Sequence, residues 1–374
     1  MGHVVVACAA FKGSLTAREA AAAVAGGVTD ARPGSRVRAV VVADGGDGTL
    51  EAAVAAGFRP VPVTVSGPTG EPVESAYGER DGVAVVEMAD ACGLVRLPGG
   101  RPAPMTASSR GLGEMIAAAL DAGLRTIVVG IGGSASTDGG AGMLTALGAR
   151  LLDATGAPVG PGGGGLADLA AVDLRGLHPA LREARITVAC DVANPLLGNH
   201  GAAAVFGPQK GADAAQVAAL DANLARLADV VGEQCGREHA ERPGAGAAGG
   251  VGWAALAVLG ARMRTGIDLV LDLARFDEVV AGARLVITGE GSLDEQTLLG
   301  KAPAGVARAA RRAGVPVVAV CGRSLLTAEQ AAGAGIEAVY AVAELEPDPV
   351  ASMRDAAVLL RRVAARLARE RLET

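Results

Sequence analysis

One pattern constrains this chain more than any other. Short apolar runs, rich in β-branched residues, break directly into loops of glycine and charge before a helix-forming stretch resumes. Val4 to Ala10 runs into Phe11-Lys12-Gly13-Ser14 and then Thr16-Ala-Arg-Glu19, a capping-box pattern that opens an alanine-rich helix. Arg38 to Ala43 runs into Asp44-Gly45-Gly46-Asp47-Gly48-Thr49 ahead of a second helix. Leu285 to Ile287 breaks into a loop holding Gly289, Glu290, Gly291, Asp294, Gln296, Gly300 and Lys301, with a helix resuming near Pro303. Continuous apolar runs of this length read as strands buried on both faces, as in a parallel α/β sheet. If the strands are parallel, Lys12, Asp44 and Glu290 share the carboxyl edge, where open α/β sheets hold their ligands.

The last third continues the alternation, with strands at Val315 to Val320 and Ala338 to Val342, a helix beginning at Thr327, and a closing helix from about Val350. On that last helix Val350, Met353, Ala357, Leu360, Ala364 and Leu367 fall on one face, and the arginines lie largely off it. The middle reads differently. From Pro60 to about Leu97, alternating Val61, Val63 and Val65 and the Gly-Pro and Asp-Gly turns point to hairpins. A chain of 374 residues exceeds the usual size of one core. The expectation is therefore an α/β protein with one doubly wound parallel-sheet domain, built from residues 1–60 and 283–374, and a second α/β domain, residues 61–282, inserted into it.

Composition narrows the partners. A net charge of −6 and an aromatic content of 2% argue against nucleic acid, which needs a basic surface or stacking platforms. The longest apolar run, Val251 to Ala261, is too short to span a bilayer, and no signal-peptide pattern opens the chain. The cysteines, Cys8, Cys92, Cys190, Cys235 and Cys321, are odd in number and scattered, which reads as core thiols in a reducing compartment. A cytoplasmic protein without membrane partners is expected.

Several loops carry candidate chemistry. Gly130-Ile-Gly132-Gly133-Ser134-Ala135 fits the dinucleotide fingerprint, with Asp153 at about the distance of a ribose-binding acid. Its hydroxyls at Ser134, Ser136 and Thr137 suit a phosphate at a helix start equally well, and a plain strand-to-helix turn is the third possibility. Asp191 ends an apolar strand, where a carboxylate is costly to keep ionised unless a ligand, a metal or hydrogen bonds meet it. Asn194 and Lys210 could assist it, or Asp191 could cap the Asn194-Pro195 turn. Asp44 and Asp47 are either turn formers or ligands for a hard cation held with phosphates. Gly300-Lys301 has the look of a Walker A ending, but Glu295 and Ala302 break that motif. No histidine pair has metal-ligand spacing.

Taken together, the loops Phe11-Lys12-Gly13-Ser14-Leu15, Ala43 to Thr49, Gly130 to Ala135, Asp138-Gly-Gly, Asp191-Val-Ala-Asn194-Pro-Leu, Phe206-Gly-Pro-Gln-Lys210-Gly-Ala, Gly246 to Gly250, and Gly289-Glu290-Gly through Gln296 to Lys301 resemble, in the same order, those of the bacterial type I glycerate kinases. The resemblance covers nearly the whole chain. It implies a flavodoxin-like domain with an inserted domain likened to a restriction-endonuclease core. It also implies ATP- and Mg²⁺-dependent phosphorylation of D-glycerate to 2-phosphoglycerate in the cleft between domains. On matching positions, Asp191, Lys12 and Lys210 become the catalytic candidates, and Ser14, Asn194, Gln296 and Lys301 the substrate-binding ones. Gly132, Gly133 and Ser134 would bind the nucleotide's phosphates, with Asp44 and Glu290 on the metal. Two departures stand out: Ala9 and Ala10 occupy places where the family carries a polar stretch with an aspartate, and Asp47 stands where glutamate is common. A kinase relic that only binds ligand, a kinase for a related hydroxy acid, and an NAD-dependent oxidoreductase are the rival expectations.

Overall fold

In the computed structural model, residues 2–235, 238–298 and 300–372 are described, and the side chains of 234, 235 and 238 lie outside that description, Cys235 among them. The chain divides into two compact units: Met1–Asp44, Glu51–Gly57 and Ile267–Thr374 form one, and Gly45–Leu50 with Phe58–Gly266 the other.

The first unit holds a five-stranded parallel sheet in the order Val37–Val41, His3–Cys8, Ala283–Leu293, Val317–Ser324, Ala338–Ala341. Counted along the chain that order is 2-1-3-4-5, the flavodoxin-like arrangement. The buried runs explain it, because alternate residues serve opposite helix layers. Val4, Val6 and Cys8 pack with Leu285, Ile287, Val318 and Val320 against the helices Ala17–Ala31 and Ala356–Arg371. Val5, Ala7, Val286, Val317 and Ala319 pack against Ala302–Arg312 on the other side. Ile267, Val270, Phe276 and Val280 belong to that second core as well. The stretch from Ile267 onward, grouped with the middle segment on sequence, therefore buries its apolar face in this unit.

Local signals set the helix ends. Thr16 and Glu19 form the reciprocal capping box that the sequence spells, and Thr327 with Gln330 forms another. The closing helix differs from expectation. Asp348 caps a short helix, Pro349–Arg354, and a second begins at Ala356 after the break at Asp355. Val350 is consequently 75% exposed, and it does not share the buried face of Leu360, Ala364 and Leu367.

The second unit is built on a mixed six-stranded sheet, ordered Arg262–Arg264, Arg185–Ala189, Thr126–Gly130, Val83–Glu87, Pro72–Arg80, Arg59–Ser66. The last two form the hairpin that alternating valines predicted, and they pair antiparallel. The first four run parallel in a common register that aligns Arg264, Ala189, Gly130 and Glu87 in a row across the carboxyl edge. Arg150–Leu152 and Ala171–Asp173 make a separate antiparallel pair. Among the described residues no helix is long and apolar enough to cross a membrane.

Candidate active site

Each unit presents its polar loops at the carboxyl ends of its parallel strands. In the first unit the strand order reverses between His3–Cys8 and Ala283–Leu293, and such a reversal opens a crevice at the sheet edge. From one side comes the Phe11–Leu15 turn, in which Phe11 and Leu15 bridge and the Ser14 hydroxyl donates to the Phe11 carbonyl. Lys12 is exposed on that turn, and its backbone passes close to Gly291 on the neighbouring strand. Ala9 and Ala10 lead into it, partly buried and without charge.

From the other side comes Glu290. Thr297 Oγ1 donates to Glu290 Oε1 at 2.6 Å, and Asp294 caps the following turn by accepting from the amides of Gln296 and Thr297. Burial holds the Glu290 carboxyl above its ordinary range against that hydrogen bond and the nearby Lys301, and the charges of Asp294 and Asp44 push it the same way. Asp44, Glu290, Asp294 and Lys301 thus interact electrostatically at one strand edge, and Gln296 is exposed beside them. Two hard carboxylates whose charges oppose one another suit a Mg²⁺ ion, which needs only one or two such ligands when phosphates complete its shell.

In the second unit Lys210, Glu87 and Asp138 are turned inward, and Asp191 is exposed. Gly132 donates its N–H to the Gly45 carbonyl at 3.3 Å, and a Cβ on Gly132 would lie 2.4 Å from the Gly46 Cα. Gly133 has φ +70°, a conformation that glycine adopts readily, and the Asp47 carboxylate lies against it. The hydroxyls of the loop do not face outward. Ser136 and Thr137 are fully buried, and Ser134 Oγ accepts from Lys210 Nζ at 2.9 Å. Nor does the loop open a helix, since the next one, Ala141–Ala146, begins beyond Gly140. What remains for an anion is the amide of the exposed Gly133, since Gly132 N–H is taken by the Gly45 carbonyl.

Lys210 is 2% exposed, and its amine donates to Ser134 Oγ and to the Ser136 carbonyl, so it braces the loop from within. Burial lowers its pKa to about 8 despite the nearby Asp138. Asp138 is fully buried and accepts from Ser109 N and Oγ and from the amides of Gly140 and Gly142.

Asp191 differs from its sequence reading in one respect. It is exposed, and its Oδ1 accepts from Gly266 N at 2.9 Å, so water and an amide meet the carboxylate where a desolvation cost was expected. Asn194 shapes the turn just beyond it by donating from Nδ2 to the His200 carbonyl. Cys8, Cys92 and Cys321 are buried, their thiols pushed up to about 12 by desolvation, whereas Cys190 is only partly so.

The dinucleotide alternative loses its acid. Asp153 caps an exposed turn by accepting from Thr155 and Ala157, after a strand that belongs to the small antiparallel pair and not to the six-stranded sheet. Glu87, by contrast, lies outside every loop motif. It ends the apolar strand Val83–Glu87 just as Asp191 follows one, yet the adjoining hairpin sequence masks that repeat of the pattern.

Parallel sheets that gather lysine, carboxylate and glycine at their carboxyl edges define a class of α/β enzymes that handle small anionic ligands. The Glycerate kinase family model matches residues 4–371. A glycerate kinase of Bacillus subtilis (strain 168) is 47% identical over 342 residues, covering 91% of this chain and 90% of the relative. A glycerate 2-kinase of Escherichia coli (strain K12) is 44% identical over 342 residues, with coverage of 91% and 90%. A solved chain from Salmonella typhimurium LT2 that carries the name glycerate kinase 2 superposes with a TM-score of 0.85 at 42% identity, covering 99% of this chain and 98% of its own. The chain belongs to the glycerate kinase family and is a kinase.

Proposed function

We propose that this protein transfers a phosphoryl group from ATP to D-glycerate and that the product is 2-phosphoglycerate. Membership of the family supports kinase chemistry, the names of the Bacillus and Escherichia relatives support glycerate as acceptor, and the Escherichia name alone supports its 2-hydroxyl as the site. The structural observation that carries the reading is the reversal point of the five-stranded sheet. There the Lys12 turn and the Glu290 strand end meet, with Asp44 and Lys301 in electrostatic range of Glu290.

Phosphoryl transfer asks a protein for positioning and charge neutralisation more than for covalent chemistry. Lys12 and Lys301 neutralise phosphate or the glycerate carboxylate, and Gln296 contributes a hydrogen bond to the acceptor. Ser14 and Asn194 shape the turns that present Lys12 and Asp191. Asp191 accepts the hydroxyl proton, with Gly266 N–H fixing one of its oxygens. The amide of the exposed Gly133 faces phosphate, Gly132 anchors the loop through its N–H bond to the Gly45 carbonyl, and Lys210 keeps Ser134 and the loop backbone in place beneath them. Asp44 and Glu290 hold Mg²⁺, which when bound supplies charge neutralisation at the phosphates. A cytoplasmic setting, in which free thiols persist, belongs to the same reading.

A coupled assay for ADP release that depends on D-glycerate tests the reaction, and phosphorus NMR of the product tests its regiochemistry. Signal from 2-phosphoglycerate is the expected result. No turnover with glycerate or with a panel of small hydroxy acids overturns the reading. Ala9 and Ala10 favour a second version, in which the acceptor is a related hydroxy acid, because they leave uncharged side chains beside Lys12. Turnover of another member of that panel in preference to glycerate would establish it.

A further inference from the structure

The Gly45–Leu50 segment is held by a side chain that none of the loop motifs contains. Glu87 is 7% exposed at the end of a central strand of the second unit. Its Oε1 accepts from Gly48 N at 3.0 Å and its Oε2 from Leu50 N at 2.7 Å, so both carboxylate oxygens are committed to one stretch of backbone. Thr49, between those two amides, is 1% exposed and donates its hydroxyl to the Gly46 carbonyl. The same segment supplies the Gly45 carbonyl that receives Gly132 N–H, the Gly46 Cα against which Gly132 packs, and the Asp47 carboxylate that lies on Gly133. A backbone contact as close as that between Gly132 and Gly46 leaves no slack. Whatever fixes residues 45–50 also fixes Gly132, whose N–H it receives, and the exposed Gly133 beside it.

We propose that Glu87 is a positioning residue for the phosphate-facing Gly132–Ser134 loop, acting through its two-pronged hold on the Gly45–Leu50 segment. The inference rests on the kinase reading above, since it assigns the loop a phosphate to receive. Only the ionised carboxylate accepts both N–H groups without turning a donor toward one of them. Burial raises the Glu87 pKa to about 7 despite those bonds, and Asp47 on the held segment and Asp90 on the following helix push it the same way. The hold therefore strengthens as pH rises through neutrality, and a pH readout separates positioning from simple packing.

The test compares the full-length wild type with Glu87→Gln and Glu87→Asp. Glutamine keeps the shape but points an amide donor at one of the two N–H groups, and aspartate keeps the charge on an arm too short to reach both. The expected result for Glu87→Gln is a fall in kcat on the order of 10- to 100-fold, as displaced positioning groups produce. Loss of the acidic limb near pH 7 and faster amide hydrogen exchange across residues 45–50 should accompany it. Glu87→Asp should keep the limb, with kcat between the two. Wild-type kcat, pH profile and exchange in Glu87→Gln would overturn the assignment while leaving the kinase reading intact. An inactive wild type would sink the kinase reading instead, and the exchange data would still decide whether Glu87 holds the segment. Should Glu87→Gln fail to fold, wild-type kcat and exchange in Glu87→Asp would overturn the proposal equally.

Discussion

The two strand-edge regions handle charge in opposite ways. In the first unit Lys12 and Gln296 are exposed, and Glu290, Asp294 and Lys301 are partly so, on short turns after the strands. In the second unit Asp191 is exposed, but Lys210, Glu87 and Asp138 are all buried, and each of those three is committed to loop backbone or to a loop hydroxyl. The first arrangement offers charge to a ligand, and the second uses charge to hold glycine amides in place. The same residue types therefore imply different consequences on mutation. Exposed lysines should matter to turnover and little to folding, whereas the buried charges should matter to folding first.

The largest effect is expected from Asp138→Ala, which strands the Ser109, Gly140 and Gly142 donors and leaves Lys210 without its neighbouring charge. Breaking such a buried set costs about 3–5 kcal/mol, readable as a lower midpoint in chemical denaturation. An unchanged midpoint would break the contrast at its strongest point. Lys12→Ala should act the other way, lowering kcat/KM on the order of 100- to 1,000-fold with no shift in melting temperature. A folding defect in that variant would mean that the exposed turn is structural after all.

Lys210 sharpens the comparison through pH. Its folded pKa, about 8, lies below the ordinary 10.5, so between those values the unfolded chain binds the proton that the native state has lost. Stability should accordingly rise with pH across that window, and Lys210→Met should abolish the rise. Calorimetry at several pH values checks the sign. The smallest effect belongs to Arg361→Ala, which removes an exposed pair with Asp30 on the helical surface. Its melting temperature should match the wild type within error, as for most surface ion pairs.

The strand-loop-helix alternation, the hairpin and the capping box at Thr16 could all be read from sequence. Each rests on residues within a few positions of one another, as in the reciprocal bonds of Thr16 and Glu19. The break at Asp355 was harder to see, because the apolar spacing continues across it. The candidate site was legible as a set of residues but not as a set of directions. Lys12 and Lys210 follow similar glycine-rich cues, yet one amine faces water and the other lies inside the fold.

Sequence alone determined which segments become strands and helices and which loops carry lysine, acid and glycine, because backbone preference and apolar periodicity are properties of near neighbours. Only the tertiary structure decided which of those charges are presented and which are enclosed. Lys210 meets Ser134 across 76 positions and Glu87 meets Gly48 across 39, and desolvation at such a distance depends on what the rest of the chain packs around the pair.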